Sequence, residues 1–449
     1  MPAPSNGAPT ERTSLLGHHL QPHHDEPRWK SLSKSIVNTT YATLTSNYVN
    51  ILLVFVPLGI VAGKVGWSPT AVFVLNFIAI IPLAALLSFA TEELSAKLGQ
   101  TLGGLCNATF GNAVELIVSI VALKENQIRI VQASMLGSIL SNMLLVLGCC
   151  FLAGGWGAQE RSFNTTVAST MSSLMAVASA SLIIPATLYA AMDGDNKRKG
   201  GDTERNINLL SRGTSVILLI LYVLYLYFQL KSHHSLFTDL ENQEEGNTSN
   251  TNNTNNTDTD APDADPAPAA ANEHQDGDIL SPAAAGITLV LVTILVSVCA
   301  DFLVSSIDSI VETSNISRTF IGLILIPIVG NAAEHVTAVV VAAKGKMDLA
   351  INVAIGSSLQ IALFVTPALV ILGWIMGKAM TLHFQGFETV VFFLSVLVVN
   401  YLIQDGKSNY LEGCMCLGTY AIIALAFYVY PDDASGDLSG NFIGKFFSR

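Results

Sequence analysis

Charge is scarce in this sequence. Of its 449 residues, 12% are Asp, Glu, Lys or Arg, where a soluble domain carries roughly 25%. That is too little to clothe a water-facing surface. Other familiar features are missing too. The short alternating segments of an outer-membrane barrel are absent. The six cysteines (Cys106, Cys149, Cys150, Cys299, Cys414, Cys416) lie in or beside apolar runs, with no zinc-type spacing to histidines, and read as small buried apolar residues. There is no GxxxxGK[ST], no GxSxG, no HExxH and no GxGxxG opening a helix. An ATP-driven pump would need a large soluble domain, and no stretch supplies one. We expect no enzyme, no resident cofactor and no nucleic-acid partner.

What the chain has instead is apolar length. It is 51% hydrophobic, with a mean hydropathy of +0.50. NILLVFVPLGIVAG (50–63), AVFVLNFIAIIPLAALLSFA (71–90) and GITLVLVTILVSVCA (286–300) are examples. A spanning helix needs about 20 mostly apolar residues. The expectation is an all-α polytopic membrane protein with about eleven spans, near 47–64, 69–90, 102–124, 129–153, 166–191, 212–230, 280–303, 319–343, 348–373, 381–403 and 410–430.

The net charge of −12 belongs to one loop. Residues 237–278 hold eleven Asp or Glu and no Lys or Arg. Asn, Thr, Pro and Ala fill the rest, so this stretch cannot bury a core and is expected to be disordered. Residues 1–46 read as a polar tail without a cleavable signal. Its ERTSLL (11–16) has the form of an acidic dileucine sorting address.

An internal repeat is the most informative feature. GNAVELIVSIVALKENQIRIVQASMLGSILSNMLLV (111–146) aligns without a gap on GNAAEHVTAVVVAAKGKMDLAINVAIGSSLQIALFV (330–365), at a constant offset of 219. Gly111 matches Gly330, Asn112 matches Asn331, Glu115 matches Glu334 and Ser138 matches Ser357. Five crossings separate the third span from the eighth, so the copies run in opposite directions. That predicts inverted repeats with a substrate site near the midplane. The expected layout is a tail (1–46), an extra first helix (47–64), a five-helix repeat (65–230), an acidic linker (231–279), a second five-helix repeat (280–431) and a tail (432–449). Lys and Arg number ten on one side and twelve on the other, so charge bias does not orient the chain.

Each GNA-x-E sets Gly and Asn one helical turn before a Glu. Gly111 and Gly330 allow close approach or unwinding, the asparagines offer amide oxygens, and Ser138 and Ser357 add hydroxyls in the following spans. Brought together, these are hard oxygen ligands around two carboxylates. Two like charges in a low dielectric must hold protons or bind a cation. Ca²⁺, which takes 6–8 oxygens in flexible geometry, suits the set better than Mg²⁺. A site that trades protons for a divalent ion is a cation/proton exchanger in outline, and an intramembrane carboxylate marks an ion pathway by default.

Further candidates surround this centre. His335, where the first copy has Leu116, can tune Glu334 or relay protons. Gln132 and Gln360 lie in the spans after each Glu and can line the pathway. Asp301, Asp308 and Glu312 have spacings of one helical face, and Glu92 and Glu93 end the second span. Either set can make an acidic vestibule.

These residues resemble the calcium/cation antiporter superfamily, whose two α-repeats carry GN-x-x-E. GNAAEH, KGKMDLA and GSSLQIALFV resemble its cation/proton exchanger branch, with the look of the fungal vacuolar calcium/proton exchangers. The resemblance covers most of 45–430. It implies one N-terminal helix before two inverted five-helix halves, a cytosolic N-terminus and an acidic cytosolic linker. It implies Glu115 and Glu334 as the paired cation carboxylates, supported by Asn112 and Asn331, with Gly and Ser oxygens beside them. The implied function is secondary active antiport of protons against Ca²⁺, or Mn²⁺, by alternating access in the vacuolar membrane. Rivals are a Na⁺-coupled exchanger of the same fold and a passive cation channel.

Overall fold

The computed structural model describes Thr43 and residues 47–193, 200–233, 280–314 and 316–430. The dileucine-like stretch, the C-terminal tail 432–449 and linker residues 234–279 lie outside the described residues.

The described residues are almost entirely helical. α1 (Tyr48–Val65), α2 (Pro69–Lys97), α3 (Gly99–Phe110), α4 (Ala113–Lys124), α5 (Ile128–Gly155), α6 (Thr165–Asp193) and α7 (Gly200–Tyr227) come first. After the linker follow α8 (Pro282–Ser305), α9 (Ile307–Ser314), α10 (Arg318–Gly330), α11 (Ala332–Ala343), α12 (Met347–Ile375), α13 (Gly386–Leu402) and α14 (Tyr410–Val429). Helix starts follow local chemistry. α2 and α8 each open on Ser-Pro: the hydroxyls of Ser68 and Ser281 accept the N–H groups of Ala71 and Ala284 at 3.4 and 3.3 Å. Each proline sits where its missing N–H costs nothing. The one pair of strands, β1 (Arg161–Ser162) with β2 (Lys407–Ser408), staples two loops together.

Among the described residues, eight helices are long and apolar enough to cross a membrane, or nine if the bent pair α10–α11 is one span. Eleven stretches were expected. The expected span 381–403 is a helix of only 17 residues, Gly386–Leu402. The expected span 102–124 is split into α3 and α4, and α3 is rich in Gly, Asn and Thr. The expected continuous span 319–343 is also broken, with a 58° bend between α10 and α11. Both breaks fall on the asparagine of GNA-x-E. Asn112 has φ −101°, ψ 30° and Asn331 has φ −85°, ψ 3°.

The two copies match beyond the breaks. Asn126 (φ 62°) and Gly345 (φ 84°), 219 apart, make the same left-handed turn after α4 and α11, as Asn and Gly can. α5 and α12 then carry π-helical turns at Ser141–Val146 and Ile361–Val365, a distortion that favours functional sites.

α5 and α12 form the centre: 83% and 72% of their apolar windows are buried, against 22–39% for α1, α6, α7, α8 and α14. The outer helices turn Ile217, Val223, Ile287 and Ile422 outwards, as a lipid solvent permits. The centre is tight where the copies cross. A Cβ on Gly137 of α5 would strike the Leu323 backbone of α10, and backbone cannot swing aside.

Gly137→Ala is therefore expected to cost about 1–3 kcal/mol through overpacking. Gly286→Ala, where nothing lies within 4 Å, is the control. Thermal unfolding of the solubilised protein should show a lowered midpoint for Gly137→Ala alone.

Candidate cation site

The two breaks place Glu115 and Glu334 in the first turns of α4 and α11. A carboxylate is favourable there, because the helix N-terminus carries partial positive charge. An asparagine at an N-cap usually spends its side chain on the helix's own N–H groups. Neither Asn112 nor Asn331 does so, and their amides reach across to the other copy instead.

Asn112 donates its Nδ2–H to Gln360 Oε1 at 2.6 Å. Its Oδ1 accepts the hydroxyl of Ser357 at 2.9 Å. Ser357 in turn accepts from Asn142 Nδ2 at 2.9 Å. On the other side Asn331 Nδ2 donates to the carbonyl of Ser138 at 3.4 Å. His335 Nε2 lies 3.2 Å from Ser141 Oγ. Glu115 is 5% exposed and packs against Gly330, where a Cβ would stand 3.0 Å from its Oε1. Gly330 stands four residues before Glu334, so Glu115 lies at the break that carries its counterpart.

Several acceptors here are buried without partners: Asn331 Oδ1, Asn142 Oδ1 and Glu334 Oε2. Leaving such atoms unmatched is costly, and a hard cation would satisfy them. Among the described residues no three His, Cys, Asp or Glu side chains converge. The centre is two carboxylates amid neutral oxygens, which suits a hard ion over a soft one.

A cavity of about 190 Å³ leads to this centre. Its lining includes the exposed Glu92, which marks the outer end, together with Gly111, Glu334 and Gln360 of the broken-helix centre. The outer end is the linker face, because the N–H of Leu280, just after the linker, bonds Glu93 at 3.2 Å. Glu334 is thus reachable from the linker face, while Glu115 is sealed behind it.

The remaining candidates are placed variously. Gln360 belongs to the centre. Gln132 does not reach it; its amide holds the carbonyls of Thr381 and His383 at 3.0 and 3.1 Å. Glu93 anchors Leu280, and its neighbour Glu92 lines the cavity. Asp301, Asp308 and Glu312 lie at the far end of α8 and beyond, and a turn at Ser306 puts the latter two on α9. Asp301 is 3.8 Å from Lys124. Asp308 is bound by Arg318 at 2.9 Å and Gln127 at 2.8 Å. Glu312 is exposed. Sequence reasoning overlooked Asn142 and Ser141. The offset of 219 that pairs the glutamates also pairs Ser141 with Gln360, and Asn142 lies one turn beyond Ser138.

Broken apolar helices that each present one carboxylate to a shared, solvent-connected centre define an ion-translocating membrane protein. The family model described as "Sodium/calcium exchanger protein" matches residues 68–231 and 284–429, and the chain belongs to that family. It is 48% identical over 421 residues to a vacuolar calcium ion transporter of Schizosaccharomyces pombe, covering 94% of this chain and 93% of that one. It is 41% identical over 380 residues to a Ca²⁺/H⁺ antiporter of Aphanothece halophytica, covering 85% and 96%. Among solved structures, native YfkE superposes with a TM-score of 0.66 at 34% identity, over 85% of this chain and 100% of that one.

Gly330→Ala should push Glu115 out of place. A misplacement of about 1 Å can cost a site about 100-fold, so ⁴⁵Ca²⁺ uptake into reconstituted vesicles is expected to fall about tenfold or more. Gly418→Ala, in open space, should transport normally.

Proposed function

We infer that this protein is a secondary active antiporter that exchanges protons for Ca²⁺ and moves cytosolic Ca²⁺ into the vacuole across the vacuolar membrane. The observation that carries the reading is the pairing of Glu115 with Glu334 at one centre, with a cavity leading to Glu334 from the linker face.

The chemistry follows from charge. Two carboxylates in a low dielectric need a compensating charge. One divalent ion supplies it, and so do two protons, so the two ligands exclude each other. In this reading Glu115 and Glu334 hold the ion and carry the protons. Oxygens of Asn331 and Asn142 complete the shell, while Asn112, Ser357 and Gln360 hold the two halves in register. His335, next to Glu334 in the chain and bonded to Ser141, is the proposed proton relay. Cytosolic Ca²⁺ enters past Glu92 where proton activity is low. When the centre opens to the acidic lumen, protons displace it. Mn²⁺, also an oxygen-preferring divalent ion, is the expected competitor.

The reading also takes 65–230 and 280–431 as inverted five-helix halves, 47–64 as an added first helix, and the linker face as cytosolic. The equivalent breaks, turns and π segments at the 219 offset support it. Relatives at 41–48% identity carry calcium-transporter or Ca²⁺/H⁺ antiporter names, which disfavours sodium coupling. A sealed Glu115 behind an open Glu334 suits a carrier rather than an open channel.

In vesicles free of Na⁺, an imposed pH gradient should drive Ca²⁺ accumulation. Glu115→Gln and Glu334→Gln should each reduce it to background while the protein still reaches its membrane. Strict dependence on Na⁺ would refute proton coupling, and near-normal uptake by either variant would remove that residue from the site.

A further inference from the structure

The face opposite the linker carries a charged cluster that the transport chemistry does not use. Arg129, in the first turn of α5, meets Glu388, in the first turn of α13. Arg129 Nη2 is 2.6 Å from Glu388 Oε1, and Glu388 is fully buried while Arg129 is partly exposed. The same guanidinium donates to Thr319 at the start of α10 at 3.4 Å and to Gln132 Oε1 at 3.4 Å. Glu388 Oε2 also accepts the N–H of Gln385 at 3.1 Å, capping α13. Gln132 grips the carbonyls of Thr381 and His383 in the segment between α12 and α13. That segment's Met380, Leu382 and Phe384 are 3%, 0% and 2% exposed, so it packs apolar side chains into the far end of the fold.

One side of this cluster is a helix of the first copy; the other side is helices of the second. On the linker face the ion pair that joins the copies, Lys407 with Glu160 at 2.8 Å, is exposed at both ends, and no buried pair stands at the equivalent places. At the 219 offset Arg129 becomes Asp348, Gln132 becomes Ile351, and Glu388 corresponds to Ser169. Ser169 is exposed, and Asp348 accepts the backbone N–H of Asn164. A buried ionic clamp between the copies therefore stands on the far face, and the equivalent places on the linker face hold none.

We propose that Arg129, Gln132 and Glu388 form a latch that holds the far face closed while the cation cavity is open to the linker face, and that the latch must release for the far face to open. Arg129 and Glu388 are positioning residues: they touch no ion and set which face the site meets. The proposal rests on the antiport reading above. A buried ion pair suits this role. Its two charges compensate each other only while together, so the latch is either made or fully broken.

The test uses reconstituted vesicles of known sidedness. Wild-type protein must first accumulate Ca²⁺ under a pH gradient; failure there refutes the antiport reading and leaves the latch a separate question. ⁴⁵Ca²⁺/Ca²⁺ exchange is then measured at equal pH on both sides, with the half-saturating Ca²⁺ found from each face. Glu388→Gln keeps the helix cap and removes the charge. It should raise the half-saturating concentration at the linker face by about tenfold and lower it at the far face, because apparent affinity scales with the fraction of protein open to that face. Gln132→Leu, which frees the segment between α12 and α13 and leaves the ion pair, should shift both faces in the same directions by less, and it decides the matter if Glu388→Gln does not fold. A merely structural role would lower folded protein or maximal rate without opposing shifts. Half-saturation unchanged at both faces, or moved the same way at both, overturns the latch.

Discussion

Two carboxylates share one low-dielectric centre, and most of the local architecture answers that fact. Neither Glu115 nor Glu334 can stay ionised there without a counter-charge. Each is set in the first turn of a broken helix, where the backbone supplies some positive potential. The break needs a residue that leaves helical geometry easily, and asparagine does so at both places. Because neither asparagine caps its own helix, both amides are free to cross to the other copy. Gly330 has no side chain because Glu115 occupies that space. Neutral oxygens around the centre are left unmatched, and in the proposed reading a mobile ion satisfies them.

The copies are alike in sequence yet unequal in state. Glu115 is sealed against Gly330, whereas Glu334 borders the cavity. Asn112 has both ends of its amide committed to Gln360 and Ser357, whereas Asn331 keeps an oxygen without a partner. An alternating carrier needs this inequality. If the halves traded environments, the same contacts would face the other way. The ionic cluster of Arg129 and Glu388 breaks the symmetry permanently, since the residues 219 positions away cannot make it. It gives the protein a preferred face.

Much of this could be read from the chain. Low charge and long apolar runs required helices in lipid, and the GNA-x-E pair marked the two places where the helices break. The matching left-handed turns at Asn126 and Gly345 fall at the same offset but were visible only in the structure. The errors have physical causes. Spans 102–124 and 319–343 read as continuous because hydropathy does not register one non-helical asparagine. Gln132 and Gln360 looked alike as polar residues in adjacent spans. They part company because Gln132 sits at the far face beside backbone carbonyls, and Gln360 sits at the π turn beside Asn112. Glu92 and Glu93 are neighbours in sequence but point about 100° apart on a helix, so one lines the cavity while the other ties down Leu280.

By itself, then, the sequence determined the solvent, the repeat and the identity of the two carboxylates, because composition and spacing are local and additive properties. The tertiary structure decided which carboxylate borders the cavity, which amide is saturated, and which charged residues pair across the copies. Those depend on pairs such as Arg129 with Glu388 and Asn112 with Ser357. They are hundreds of residues apart along the chain, and no periodicity brings them together. Only packing does.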